Sequence, residues 1–534
     1  MKNLLKIKLL LLLAITNMCV FTACDDDDLG TPDRLFRPVV DQTVSGTWIK
    51  LEWERYAGTL SYTLQLSESA DFATVLADVS IEETEYTFEG LEYNTQYYIR
   101  IRGVGDGIES APIVYDVKTN KYPTKILSPA SNDYIDTQVR MRWEEETYDS
   151  MRVFIGKEYV KTVILTTNDN DAKTFIVTDL EPSTTYTVKA YRADNYLGEM
   201  DYKTTAAQVF EGDYVDLRLL DDAEAYTTLT QTYFDELAAL YPNGVTVVLN
   251  GATKYEIGTI NLSASTKFVT GLSFLGGAVM EVKGSFAAAS GADLSYVSFD
   301  NVIFTDHSEK KRDTANFGGC YLFNFNQANG KVGDLSVLNC DIRYKRGVLR
   351  AQVATEIGKI TFDNCLIDSI GGYGLVNADH AQAYFNDIVV KNTTMAHAEK
   401  ILVATKPDRS TNAILMENMT VCYAPKGEGN YIIDFNNQAI PGGITIKNCI
   451  FGAGWGSSIR GIRSNTTNIL VEKSYRASDA TWSLNATSGE PYYPITDLEL
   501  LTETTDDLFT APNEVNFKLK KADFVGKIGD PRWW

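Results

Sequence analysis

Basic side chains gather at three places in the carboxy-terminal half of this 534-residue chain. Arg343, Lys345, Arg346 and Arg350 come first; His397, Lys400, Lys406 and Arg409 follow; Arg460 and Arg463 lie further on. The planar fork of arginine meets carboxylate oxygens two at a time, so such clusters suit recognition of acidic groups. Tyr344, Tyr373, Tyr384, Tyr423 and Trp455 are interleaved with them, and aromatic faces pack well against the CH groups of sugars. Asp379 and Asp434 are candidate ligands for calcium, a hard cation that takes oxygen donors. The plain alternative is a solvated face whose cations pair with the chain's many acids.

Other chemistries are poorly served. Glycoside hydrolysis needs two carboxylates flanking the scissile bond, and no Asp-Asp pair stands in that setting. No tight acid cluster marks a calcium cage. His380 and His397, two of three histidines, have no evident nucleophile partner. Beyond Cys24 the cysteines are Cys320, Cys340, Cys365, Cys422 and Cys449. An odd number without a CxxC motif argues against a disulfide framework and a zinc site, so they read as small buried hydrophobes. A net charge of −22 argues against general nucleic-acid binding, which needs basic surface. It also requires any acidic ligand to meet a local basic patch or a bridging cation.

The elements that must position these residues come from a repeat. The pattern apolar-x-apolar-x-Asn recurs with its asparagine at Asn301, Asn339, Asn364, Asn392, Asn418 and Asn448, in steps of 38, 25, 28, 26 and 30 residues. Self-similarity of this period indicates stacked rungs. Asparagine tolerates left-handed backbone at a sharp bend. Stacked in every rung, its amide donates to one neighbour and accepts from the other, which satisfies an otherwise costly buried polar group. Each rung carries a second strand: Val348-Leu349-Arg350, Leu375-Val376-Asn377, Leu402-Val403-Ala404, Ile432-Ile433-Asp434 and Gly461-Ile462-Arg463. Aligned this way, Arg350, Asn377, Ala404, Asp434 and Arg463 form one column, and Gln352, Asp379, Lys406, Asn436 and Asn465 the next. Polar columns on a parallel sheet can line a groove for an extended sugar chain. Ahead of the repeat, Thr230 to Tyr241 has helical spacing and ends before Pro242-Asn243-Gly244, a stop signal. Val245 to Leu249 then reads as a strand.

Two similar blocks precede the solenoid. Residues 36–120 carry the alternating strand Ile49-Lys50-Leu51-Glu52-Trp53 and later Leu91-x5-Tyr97. Residues 121–205 carry Val139-Arg140-Met141-Arg142-Trp143 and Leu180-x5-Tyr186. This is the spacing of a tyrosine corner. At the amino terminus, Lys2, Lys6 and Lys8 precede the apolar run Leu9–Ile15 and then Phe21-Thr22-Ala23-Cys24. That run is far below the ~20 residues a membrane span needs, so residues 1–23 read as a processing signal. Residues 24–35 open with Asp25-Asp26-Asp27-Asp28 and read as an acidic tether.

These features carry resemblances. The amino terminus resembles a bacterial lipoprotein signal, which implies lipidation of Cys24. The acidic run resembles the signal that exports lipoproteins of Gram-negative polysaccharide-utilisation systems to the cell surface. The two blocks look like fibronectin type III domains, most simply a stalk. The asparagine repeat resembles that of pectate-lyase-like right-handed parallel β-helices, and the helix resembles their amino-terminal cap. The segment from Phe517 to Trp534 looks like their closing segment, expected to cover the last open rung. The implied fold is therefore all-β: two fibronectin type III-like sandwiches, then a right-handed parallel β-helix over residues 206–534.

Taken together, the chain resembles surface lipoproteins encoded with glycan-uptake systems. The resemblance implies an outer-membrane, cell-surface location, contact with the membrane through the lipid anchor only, and a polysaccharide partner, acidic and pectin-like. An outer-membrane glycan transporter complex is a further implied partner. Arg346, Asn377, Tyr373, Arg463 and Trp455 are the expected glycan contacts. A lyase of this kind would abstract a proton alpha to a uronate carboxyl. It would need a base, for which Lys345, Arg350 and Lys406 are candidates. It would also need a positive group or calcium, with Asp379 and Asp434 as ligands, to stabilise the enolate. An adhesin or structural spacer is the third class.

Overall fold

A computed structural model describes residues 34–305, 317, 319–520 and 527–534. The signal segment, Cys24 and Asp25–Asp28 lie outside the described residues. The first block folds as a sandwich. Three antiparallel strands (Val40–Ser45, Trp48–Trp53, Glu85–Phe88) form one sheet and four (Ala77–Ile81, Ser61–Ser67, Gln96–Val104, Ile113–Lys118) the other. Alternation along Trp48–Trp53 buries Ile49, Leu51 and Trp53, and the Trp53 ring meets Tyr62 edge-on at 5.1 Å. The Glu92 backbone N–H donates to the Tyr97 hydroxyl at 3.0 Å, closing the expected corner. In the second block, strands between Val139 and Lys203 bury Trp143 and Tyr186, and the Trp143 ring meets Tyr148 edge-on at 5.5 Å. The short helix Thr167–Ala172, capped by Thr166 and Asp169, was not foreshadowed by hydrophobic spacing.

The remainder is a parallel β-solenoid of about nine turns. One parallel sheet of ten strands runs from Tyr214–Asp216 to Ile469–Glu472. Its register places Phe299, Val337, Phe362, Val390, Met416 and Ile446 in one column, and each stands two residues before a repeat asparagine. All six asparagines adopt positive φ, between 49° and 57°, so the chain bends sharply there and enters a second parallel sheet. Helix Gln231–Leu240 packs at the amino-terminal end. Thr230 caps it by accepting from the Tyr233 N–H, and Phe234 and Leu237 are buried. A shorter helix, Asp222–Thr228, and the strand Tyr214–Asp216 precede it, so the solenoid starts one strand earlier than the helix-first expectation.

Two corrections concern the asparagines and the tail. Asn364 donates to Asn339 (2.7 Å), Asn418 to Asn392 (2.7 Å) and Asn448 to Asn418 (3.1 Å). Asn339 and Asn392 instead donate to Asp300 and Asp363. The asparagines are exposed or half-buried, so their main contribution is to the left-handed bend and not to satisfying a buried amide. We predict that Asn418→Ala costs ~1–2 kcal/mol, the steric penalty of left-handed backbone for a Cβ-bearing residue, and that Asn418→Gly costs less. Urea midpoints that rank Ala and Gly the other way would contradict this.

The tail does not close the last rung. Gly529 N–H donates to Asn448 O, Asp530 N–H to Thr420 Oγ1, Thr394 Oγ1 and Trp533 Nε1 meet Asp530 and Thr394 respectively, and Arg532 reaches Asn364. The segment thus runs back along the flank across four rungs. Phe517, Ile528 and Trp533 pack there with Ala396, Cys422 and Ile450. Threonines at the start of successive second-sheet strands give it a ladder of partners that the end of the solenoid does not offer. Cys340, Cys365, Cys422 and Cys449 are buried, and Cys320 is only half so. Burial pushes the Cys365 and Cys449 thiols up to about 12, as expected of inert cysteines.

Candidate functional site

The second strand of each rung, after the bend, carries the candidate residues. The paired positions are Asn324, Arg350, Asn377, Val403, Asp434 and Arg463. Val403 therefore replaces Ala404 in the expected column. Ile401-Leu402-Val403 offers two alignments, and burial of Ile401 and Leu402 selects the one shifted by a residue. Thr405, not Lys406, consequently lines the cleft of about 270 Å³ formed with Lys400, Val403, Asn430, Tyr431, Asp434, Asn436 and Arg463.

Two guanidinium–carboxylate pairs sit on this face. Arg350 Nε and Nη2 donate to Asp379 Oδ2 at 3.1 and 2.6 Å, its Nη1 donates to the Tyr321 hydroxyl at 3.3 Å, and it lies 4.2 Å from the Tyr373 ring centroid. Lys406 holds the other Asp379 oxygen. Arg463 grips both oxygens of Asp434 at 2.7 Å and lies 4.6 Å from the Tyr431 ring. The Arg463 pair is bidentate, an arrangement that is directional and strong for its type. Burial works against the Arg350 charge, but the bond to Asp379 together with the charges of Tyr321, Tyr373 and Asp379 outweighs it, so its pKa lies above the ordinary arginine value.

Burial would raise the Asp379 carboxyl, but Lys406 and then Arg350 outweigh it and hold its pKa below the ordinary 3.8. A depressed folded-state pKa gives stability that is present above the unfolded value and lost as pH falls through the folded one. The melting-temperature difference between wild type and Asp379→Asn should therefore be full at neutral pH and close as pH drops below 3.8. A difference that persists unchanged into that acid range would contradict the assignment.

A neighbouring column, closer to the bend, alternates cation and ring. Arg346 and Tyr373 precede the paired glycines Gly347 and Gly374. Lys400 follows beside Gly374 and shares the cleft with Tyr431, which is paired with Arg460. Arg346 lies 4.9 Å from the Tyr373 ring, and Arg460 lies 4.0 Å from Tyr492 and 5.3 Å from Tyr431. Such cation–ring contacts contribute roughly 0.5–2 kcal/mol each, according to their desolvation. Arg346, Lys400 and Arg460 have no carboxylate partner among the described residues, and the Nε of both arginines is buried without an acceptor.

Several expected site residues lie elsewhere. Lys345 is fully buried, and its ammonium donates to Thr305 O at 2.7 Å. The positive φ of Tyr344 and the register shift between Lys345 and Gly347 reverse the alternation, so Lys345 points inward and Arg346 outward. Asn377 is only 6% exposed and offers a ligand little surface. Trp455 packs edge-on to His397 at 5.6 Å, with Lys426 over its ring at 4.4 Å, in a cluster at the bend. There His397 Nδ1 pairs with buried Asp368 at 2.8 Å and stacks on Tyr423. Arg409 covers Tyr384 at 3.5 Å in a separate cleft of about 210 Å³ with Lys331, Glu356 and Gln382. Asp379 and Asp434, the candidate calcium ligands, each have both carboxylate oxygens engaged by cations. Sequence reading missed Tyr321, Tyr431 and Tyr492; only Tyr431 lies beside a strand that the repeat predicts.

Comparison with known proteins identifies two segments. Residues 37–116 match the model of the fibronectin type III domain, and residues 414–533 match a domain of unknown function (DUF5123). No curated protein matches the chain. Among solved structures, a two fibronectin type III domain segment from chicken tenascin is 18% identical, covering 32% of this chain and 100% of that one at a TM-score of 0.18. The chicken CNTN1 FN1–FN3 structure is 13% identical, covering 33% and 69%, at 0.16. The chain thus carries fibronectin type III sandwiches followed by a parallel β-solenoid whose later rungs match a family without an assigned role.

Proposed function

We propose that this protein is a lipid-anchored lipoprotein of the outer-membrane surface, tethered through Cys24, that binds polysaccharide along the second sheet of its solenoid for glycan uptake. The observation that carries the reading is the column Arg346, Tyr373, Lys400, Tyr431, Arg460 with Tyr492 beside it, in which cations without carboxylate partners alternate with rings. Polar side chains at each rung of an extended strand face suit an extended polymer. Rings next to cations supply apolar contact for sugar CH groups and charge for acidic substituents.

Two observations weigh against β-elimination. Of the three candidate bases, Lys345 is buried away from the groove. Arg350 is held charged by Asp379, and Lys406 is engaged by the same carboxylate. Gel retardation against a broad glycan panel, run in parallel with ultraviolet absorbance for unsaturated ends, tests the reading. Retardation without new absorbance is the expected result. New absorbance that Arg350→Ala removes would make the protein a lyase. Retardation by no glycan would favour an adhesin or spacer.

A further inference from the structure

The groove's charges are arranged by rung, and the arrangement specifies a ligand. Counting from the rung of strand Asp341–Ala351, the first carries Arg346 and, paired to Asp379, Arg350; the third carries Lys400, with Lys406 turned to Asp379; and the fifth carries Arg460 and, paired to Asp434, Arg463. The second carries Tyr373 and Asp379 and the fourth Tyr431 and Asp434; the fourth rung's lysine, Lys426, stands at the bend, where it pairs with Glu399 and covers Trp455. Cations thus recur every second rung, and the rungs between them present a ring and a carboxylate. Parallel strands lie ~4.7–4.9 Å apart, so the charged rungs repeat at roughly 9.5 Å.

We infer that the groove takes a linear glycan of alternating acidic and neutral sugars, one acid per disaccharide. This rests on the glycan-binding reading above. An extended pyranose chain advances by roughly one rung per residue, so an acid on every second sugar meets a basic rung each time. The neutral sugar then falls on a tyrosine, with hydroxyls facing Asp379 or Asp434. The exclusion follows from the same pairing: Asp379 and Asp434 are already held by Arg350, Lys406 and Arg463, so the second and fourth rungs offer no free cation, and an acid on every sugar would leave those charges unpaired beside a carboxylate. The guanidinium groups of Arg346 and Arg460, which have no carboxylate partner among the described residues, stand at the outer basic rungs.

The test is affinity gel retardation of the purified full chain. The probes are hyaluronan and desulfated chondroitin (alternating glucuronate and N-acetylhexosamine), homopolygalacturonate (an acid on every residue) and an uncharged β-glucan. Retardation by an alternating polymer, with at least tenfold weaker retardation by homopolygalacturonate, is expected. Lys400→Gln should lower affinity for the alternating polymer about tenfold, the typical effect of losing one hydrogen bond to a charged group, without moving the urea midpoint. Asp434→Asn should improve retardation by homopolygalacturonate. Equal or stronger retardation by homopolygalacturonate, or binding of the β-glucan alone, would overturn the alternating-ligand assignment and leave glycan binding standing. Failure of every probe and of every glycan of the broad panel to retard the chain would overturn both.

Discussion

Phe299→Ala should lower the stability of the solenoid by ~3–5 kcal/mol, the range for deleting a large buried aromatic side chain. Phe299 is fully buried. It stacks on Phe268 at 4.4 Å with rings 3° from parallel, and it meets Phe286, Phe304 and Phe323 at 5.0, 5.2 and 5.7 Å. Those neighbours come from both sheets, whose parallel ladders fix their backbones, so collapse around the deleted ring is resisted from each side. In a solenoid each rung contacts only its neighbours, and a cavity in one rung weakens two interfaces. Urea unfolding followed by tryptophan and tyrosine fluorescence should show the solenoid transition at lower denaturant while the sandwich transition stays in place. A shift worth less than ~1 kcal/mol would mean that the phenylalanines repack, as cores conserving volume can.

The same residue shows why much of the architecture was legible. Phe299 stands two positions before Asn301, and that spacing recurs at Val337, Phe362, Val390, Met416 and Ile446. A residue that tolerates left-handed backbone, at a fixed distance from an inward apolar one, is a local requirement and therefore visible in sequence. The sandwich tryptophans and Tyr97 are visible for the same reason, since corner and core position lie within one strand or turn.

What escaped depends on longer distances. Tyr321 follows a rung that lengthens the asparagine step to 38 residues, so no repeat alignment reached it. Three successive apolar residues, Ile401 to Val403, left the register open by one. The irregular turn at Tyr344 exchanged Lys345 and Arg346 between interior and surface, which strict alternation does not anticipate. The flank position of the tail depends on hydrogen bonds across 110 to 168 residues, beyond any local pattern. Charge pairing was equally hidden: Arg350 with Asp379 and Arg463 with Asp434 are 29 residues apart, one rung each, and only the register reveals that these candidate bases and calcium ligands neutralise one another.

Gly347→Ala should disable the groove without removing any group that touches a ligand. A Cβ at Gly347 would lie 2.6 Å from the Tyr373 Cβ and 3.3 Å from its backbone carbon. The obstacle is the root of a side chain on a paired strand, so no rotamer change relieves the overlap, and overpacking of this kind costs ~1–3 kcal/mol. Relief requires Tyr373 to move outward. Tyr373 is the ring against which Arg346 and Arg350 both rest, at 4.9 and 4.2 Å, and its edge meets Tyr321 at 5.3 Å. One methyl group therefore displaces two guanidinium groups and loosens the Arg350–Asp379 pair. Loss of two cation–ring contacts at ~0.5–2 kcal/mol each should weaken glycan retardation by roughly tenfold or more. Arg346→Lys keeps the charge and spares the ring, so it should bind better than Gly347→Ala if position matters more than charge count. A Gly347→Ala protein with an unchanged urea midpoint and full retardation would show that Tyr373 yields freely, and the alternation of cation and ring would then not be the feature that organises the groove.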